Sequence, residues 1–99
     1  MIKHAPLRYP IGTKVRWFSS GTMKQGCYLG QIPPGVKPID LFAELHNISQ
    51  SQDRFGSGKG VASVNERSYI RVDRVGTTGD ILKPHYYGAR TSLLEVIDT

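Results

Sequence analysis

A mainly β domain with one short helix in its central connection follows from three observations. The stretch from Gly12 to Ile32 reads as two strands joined by a polar loop, a second alternating region begins near Ser68, and a cluster of prolines between them opens a helical pattern. A chain of 99 residues holds one domain and one modest core, so a single domain over 1–99 is expected.

In the first region Val15 and Trp17 alternate with Lys14, Arg16 and Phe18, which predicts a strand over 14–18 with Val15 and Trp17 turned inward. Ser19 to Gln25 supply turn residues and are expected to form a polar loop that holds Met23 and Lys24 out towards a partner. A second strand then runs from Gly26 to Ile32. A glycine ahead of a basic strand, followed by a glycine opening a strand that ends on an apolar residue, is the pattern of small SH3-like barrels. An SH3-like β-barrel of about five strands is therefore the expected architecture. Upstream, 1–10 reads as an extended arm, and the alternation of Leu7, Tyr9 and Ile11 would let it add a short edge strand.

Pro33, Pro34, Gly35 and Pro38 stop the second strand, because prolines cannot continue a hydrogen-bonded ladder. Apolar residues at 41, 42, 45 and 48 then predict a helix of about two turns over Pro38 to Leu45 that plugs one open end of the barrel. Asp40 and Glu44 stand four apart on its polar face as solubilising charges. The segment 47–65 is Ser-, Gln- and Gly-rich. Its centre, Gly56 to Gly60, lacks the spacing and the buried strand of a phosphate-binding P-loop, so it is expected to be a flexible loop. Within it, Arg54, Phe55 and Lys59 set an exposed ring beside cations, which suits base stacking or a protein pocket. Tyr69 to Asp73 alternates, with Ile70 and Val72 towards the core and Arg71 and Asp73 towards solvent. Gly76 to Asp80 is a turn, Arg90 to Leu93 a short bend or 3₁₀ turn, and Leu94 to Val96 a closing strand that returns to the first.

The net charge of +5 is uneven. Lys3, Arg8, Lys14, Arg16, Lys24 and Lys37 fall in the first 37 positions, which contain no Asp or Glu. A one-signed third of the chain attracts polyanions or an acidic protein surface and excludes an acidic mimic of DNA. His4, His46 and His85 lie in different segments beside one cysteine, so no metal spacing exists, and no cofactor motif or catalytic constellation stands out. Cys27 is expected to pack as a small apolar residue. With no apolar run of membrane length and no leader pattern, a cytoplasmic protein that avoids membranes is expected.

What remains is a basic-aromatic constellation: Arg16, Trp17, Phe18, Tyr28, Arg71, Tyr86, Tyr87 and Arg90 on or beside predicted strands. The reading is a non-catalytic binding module. Lys14, Arg16, Lys24, Arg71 and Arg90 are the candidates for phosphates, Phe18 and Tyr86 for stacking, and Arg54, Phe55 and Lys59 for contacts from the central loop. Self-association into a homodimer is left open.

The segments Ile11 to Trp17, Lys24-Gln25-Gly26, Ile32 to Pro38, Ser68 to Val72 and Tyr87 to Leu94 resemble a family of short uncharacterised proteins from phages and other mobile elements. That family pairs a Gly-x-x-Val-Arg-Trp opening with a Pro-Gly turn, a Ser-Tyr strand and a Tyr-x-x-Arg-x-Ser-x-Leu close. The resemblance implies a mobile-element origin and a bacterial host. With that origin comes the alternative function, an anti-CRISPR-like inhibitor that binds a host defence protein. A looser similarity, over Gly12 to Arg16, Gly26 to Ile32, Tyr69 to Val72 and Leu94 to Ile97, is to the plasmid-borne, trimethoprim-resistant dihydrofolate reductase barrel. Where that enzyme has its Val-Gln-Ile-Tyr active-site strand, this chain reads Lys83-Pro84-His85-Tyr86-Tyr87, so the similarity implies a fold and not the reductase activity.

Overall fold

Alternation organises the chain into a single sheet, described over residues 6–97 of a computed structural model. Its strands are β1 (Lys14–Ser19), β2 (Thr22–Ile32), β3 (Asp53–Arg54), β4 (Arg67–Val75), β5 (Ile81–Arg90) and β6 (Glu95–Val96), in the order β3-β5-β4-β2-β1-β6. Neighbours are antiparallel except β3 and β5. One helix, α1 (Pro38–Leu41), passes into a 3₁₀ turn over Ala43–Asn47, and a second 3₁₀ turn spans Thr91–Leu93. The fold is therefore mainly β with one short helix, as the sequence predicts. The sheet is not closed, with β3 and β6 as its two edges. It is nevertheless curled: the Trp17 ring of β1 and the Tyr87 ring of β5, with β4 and β2 between their strands, stand 5.4 Å apart.

The first hairpin is longer than its sequence suggests. Register runs without a break from Lys14↔Cys27 to Ser19↔Thr22, leaving only Ser20 and Gly21 as the connection. Both have positive φ, 51° and 78°, the requirement of a type I′ turn whose twist matches its flanking strands. Met23 and Lys24 thus belong to β2 rather than to a polar loop. Alternation is faint there because Thr22, Met23 and Gln25 are exposed and a lysine, Lys24, takes the position opposite Trp17.

The sheet buries side chains on both faces. One face gathers Val15, Trp17, Tyr28, Ile70, Ala89 and Leu94, with Tyr9, Val72 and Tyr87 packed against them. The other buries Ile32, Leu45, Phe55 and Tyr69 beneath Ile39, Leu41, Phe42 and Ile48. This second core rests on one row of the sheet, Gly30–Tyr69–Gly88, running across β2, β4 and β5. A Cβ at Gly30 would stand 2.7 Å from the Phe42 ring and one at Gly88 2.5 Å from the Phe55 ring. Each glycine therefore makes room for a phenylalanine from the connection above, and the two rings flank Tyr69 at 4.1 and 6.2 Å. Phe55, expected to be exposed, is only 5% exposed, since Gly88 leaves a hollow of its own shape beneath it. Tyr69 is fully buried where simple alternation would turn it to solvent. The helix thus covers a second sheet face, and Tyr69 reaches Glu44 with its hydroxyl at 3.1 Å.

The central segment is tied down elsewhere too. Asp53 accepts the N–H groups of Phe55 (3.1 Å) and Lys59 (3.2 Å), Lys59 donates its Nζ to the Ile48 carbonyl, and β3 joins β5. At the N-terminal end, residues 1–5 of the expected arm lie outside the described residues. The expected edge strand at Leu7 to Ile11 does not form, because both sides of β1 are already taken by β2 and β6. Instead Tyr9 meets Tyr28 edge to face at 5.3 Å, and the Arg8 backbone N–H donates to the Tyr28 hydroxyl. Behind them lies a buried polar network. Tyr28 donates to Gln31 Oε1, and the Gln31 amide donates to Thr91 Oγ1 and Glu66, with Ser68 hydrogen-bonded to Thr91. Among the described residues no helix is long and apolar enough to cross a membrane.

Candidate nucleic-acid interface

Because the sheet curls without closing, the β1–β2 hairpin faces the β3–β5 end across an open seam. A cleft of about 580 Å³ occupies it. Trp17, Ser19, Ser20 and Lys24 form one wall. Arg54, Phe55, Tyr87 and Arg90 stand in the other, with Leu93 beside them. Trp17 is 3% exposed and makes the floor with Tyr87. Lys24 lies opposite Trp17 in the ladder and carries its ammonium over the Tyr87 ring at 5.7 Å. Arg54 is in register with Tyr87 on the neighbouring strand.

The ion pairs sort the cations of the molecule. Arg8 meets Glu66 at 3.0 Å, Arg16 meets Glu95 at 3.2 Å, and Arg71 Nε lies 3.1 Å from Asp73, at an angle that makes no hydrogen bond. The Glu66 hydrogen bond and charge raise the pKa of Arg8 above its ordinary value. Among the described residues no carboxylate pairs with Lys24, Arg54 or Arg90. Asp53 also borders the cleft and keeps its negative charge while accepting the backbone amides of Phe55 and Lys59, so the three cations outweigh one carboxylate. The seam is accordingly a positively charged slot with an aromatic floor. It can neutralise phosphates at its rim and receive a flat, unstacked ring between them.

Of the residues singled out from the sequence, the structure brings Lys24, Arg54, Phe55 and Arg90 to this cleft. Phe55 is there as a buried wall rather than as a free stacking ring. The others are not part of it. Lys14 and Arg71 line a hollow of about 180 Å³ with Cys27, which is half-buried, and with Asp73. Arg16 is engaged by Glu95, and Phe18 stands 61% exposed opposite Met23. Tyr86 stacks on Tyr69 at 5.9 Å within the second core, and Lys59 serves the loop backbone. Tyr87, a member of the basic-aromatic constellation but not one of the residues proposed for stacking, faces the cleft while its neighbour Tyr86 faces the other way, and Ser19, Ser20 and Leu93 line it without having been singled out. Trp17 serves both as core and as cleft floor. Comparisons with protein-family models, with curated proteins and with solved structures returned no match.

Proposed function

We propose that the chain is a binding module, of the phage or mobile-element kind its sequence resembles, that holds nucleic acid in the seam cleft. One observation carries the reading: Lys24, Arg54 and Arg90, none neutralised by a carboxylate, converge on a slot floored by Trp17 and Tyr87. Phosphates supply the missing counter-charge, and a base supplies the face that stacks on Tyr87. The test is fluorescence anisotropy with short single- and double-stranded DNA and RNA over a range of salt. A single strand that engages the three cations gives a slope of log K against log salt of about −2. The Lys24→Glu, Arg54→Glu, Arg90→Glu variant loses binding, whereas Arg16→Glu, Arg71→Glu keeps most of it. Absence of binding, or loss only in the second variant, would refute the assignment.

A second reading, inhibition of a host defence protein, draws on the opposite face, where Phe18 (61% exposed) and Met23 (52% exposed) lie side by side across β1 and β2. An exposed ring and thioether together suit a protein contact. In that case Phe18→Ala, Met23→Ala breaks a stoichiometric complex with a purified defence protein while leaving nucleic-acid binding unchanged.

A further inference from the structure

A second cavity, of about 540 Å³, lies beside the seam and shares one lining residue with it, Arg90. Tyr9, Asn65, Glu66 and Ser92 also border it, with Arg8 at its rim. Each space falls in the range of ligand pockets, about 300–1,000 Å³. Their chemistry differs. In the seam the cations are free, whereas in the second cavity Arg8 and Glu66 neutralise each other and the Glu66 carboxylate is further occupied by Gln31. Among the described residues Arg90 is thus the one cation of the second cavity that no carboxylate pairs. Among the described residues the side chains of Asn65 and Ser92 have no hydrogen-bond partner, which leaves them to a ligand's edge.

Resting on the nucleic-acid reading, we propose that the two cavities are consecutive nucleotide subsites of one single strand, with the bridging phosphodiester on Arg90. The seam takes one base against the partly buried Tyr87, above Trp17, its outer phosphate meeting Lys24 and Arg54. The neighbouring cavity takes the next base and reads its polar edge with Asn65 and Ser92. A single strand is the ligand because successive bases can enter two separate recesses only when they are unstacked.

The sole tryptophan, Trp17, lies 5.4 Å from Tyr87 beneath the first subsite and reports on it. Its fluorescence is titrated at low salt with thymidine monophosphate, the 5′-phosphorylated dinucleotide pTpT, and a thymidine tetranucleotide. Affinity is expected to rise about tenfold or more from one nucleotide to two, as befits one added stacked or edge-bonded base with its phosphate, and little from two to four. Arg90→Ala removes that step. Asn65→Ala weakens the dinucleotide and leaves the mononucleotide unchanged, which a merely structural role would not do. Affinity that climbs smoothly with length, with Asn65→Ala silent, overturns the two-subsite inference while preserving the nucleic-acid reading. No quenching and no binding by any probe overturns both.

Discussion

The Phe55–Gly88 contact is the sharpest test of the fold, because the sequence pattern and the structure disagree about it. Phe55→Ala removes a ring that is 5% exposed and leaves a void above Gly88, at an expected cost of about 3–5 kcal/mol. In a domain of this size each kcal/mol moves Tm by about 4–8 °C, so a fall of at least about 12 °C is expected. Gly88→Ala acts from the other side. Its methyl would stand 2.5 Å from Phe55 Cδ1, and displacing the ring costs about 1–3 kcal/mol. In the double variant the methyl occupies part of the space the ring has left. The two losses should therefore fall short of their sum by about 1 kcal/mol or more. Urea unfolding followed by circular dichroism and by Trp17 fluorescence measures all four corners of the cycle. A Phe55→Ala loss within the roughly 0.5 kcal/mol typical of surface substitutions, or strict additivity of the pair, would refute the docking of this ring on the sheet.

Other outcomes follow from the same structure. Gln31→Leu strips the amide from the buried network and leaves Tyr28, Ser68 and Thr91 short of partners, at about 1–3 kcal/mol for each group left unsatisfied, measurable by urea unfolding. Tyr69→Phe keeps the stack between Phe42 and Phe55 and loses only the bond to Glu44, so it should cost about 1 kcal/mol. Burial, and then the charges of Arg74 and Arg54, hold the His85 pKa below its ordinary 6.5. The unfolded chain therefore takes up a proton that the fold refuses, and stability drops as pH falls below 6.5. His85→Gln should flatten that part of a stability-against-pH curve. Gly21→Val places a β-branched side chain at φ 78° and should destabilise the first hairpin by about 1–2 kcal/mol, read as a lowered Tm.

Strand positions were legible wherever one face is apolar and the other polar, as at Val15 and Trp17 or at Ile70 and Val72. The bend after Arg90 and the return of β6 to β1 were equally readable. Three features were not. The type I′ turn at Ser20-Gly21 hides because the residues around it, Ser19 and Thr22 to Gln25, give no apolar alternation, Met23 being exposed and Lys24 standing opposite Trp17. Tyr69 and Phe55 depend on two glycines that sit far away in sequence and only in the folded sheet leave room for rings. The cleft escaped because its cations come from β2, β3 and the end of β5, and only curling brings them to one seam. Sequence also has no means of saying that Arg16 and Arg71, equally basic on paper, spend their charge on Glu95 and Asp73.

The two edges of the sheet have a bearing on how the molecule behaves in a crowd. An open sheet ordinarily invites a neighbour's strand to extend it, and long flat edges do so most readily. Here both outermost strands, Asp53–Arg54 and Glu95–Val96, are two residues long and each carries charge. Such short rungs offer a second chain few hydrogen bonds to grow on. The two charged, two-residue rungs confine the opening of the sheet to the seam between its ends.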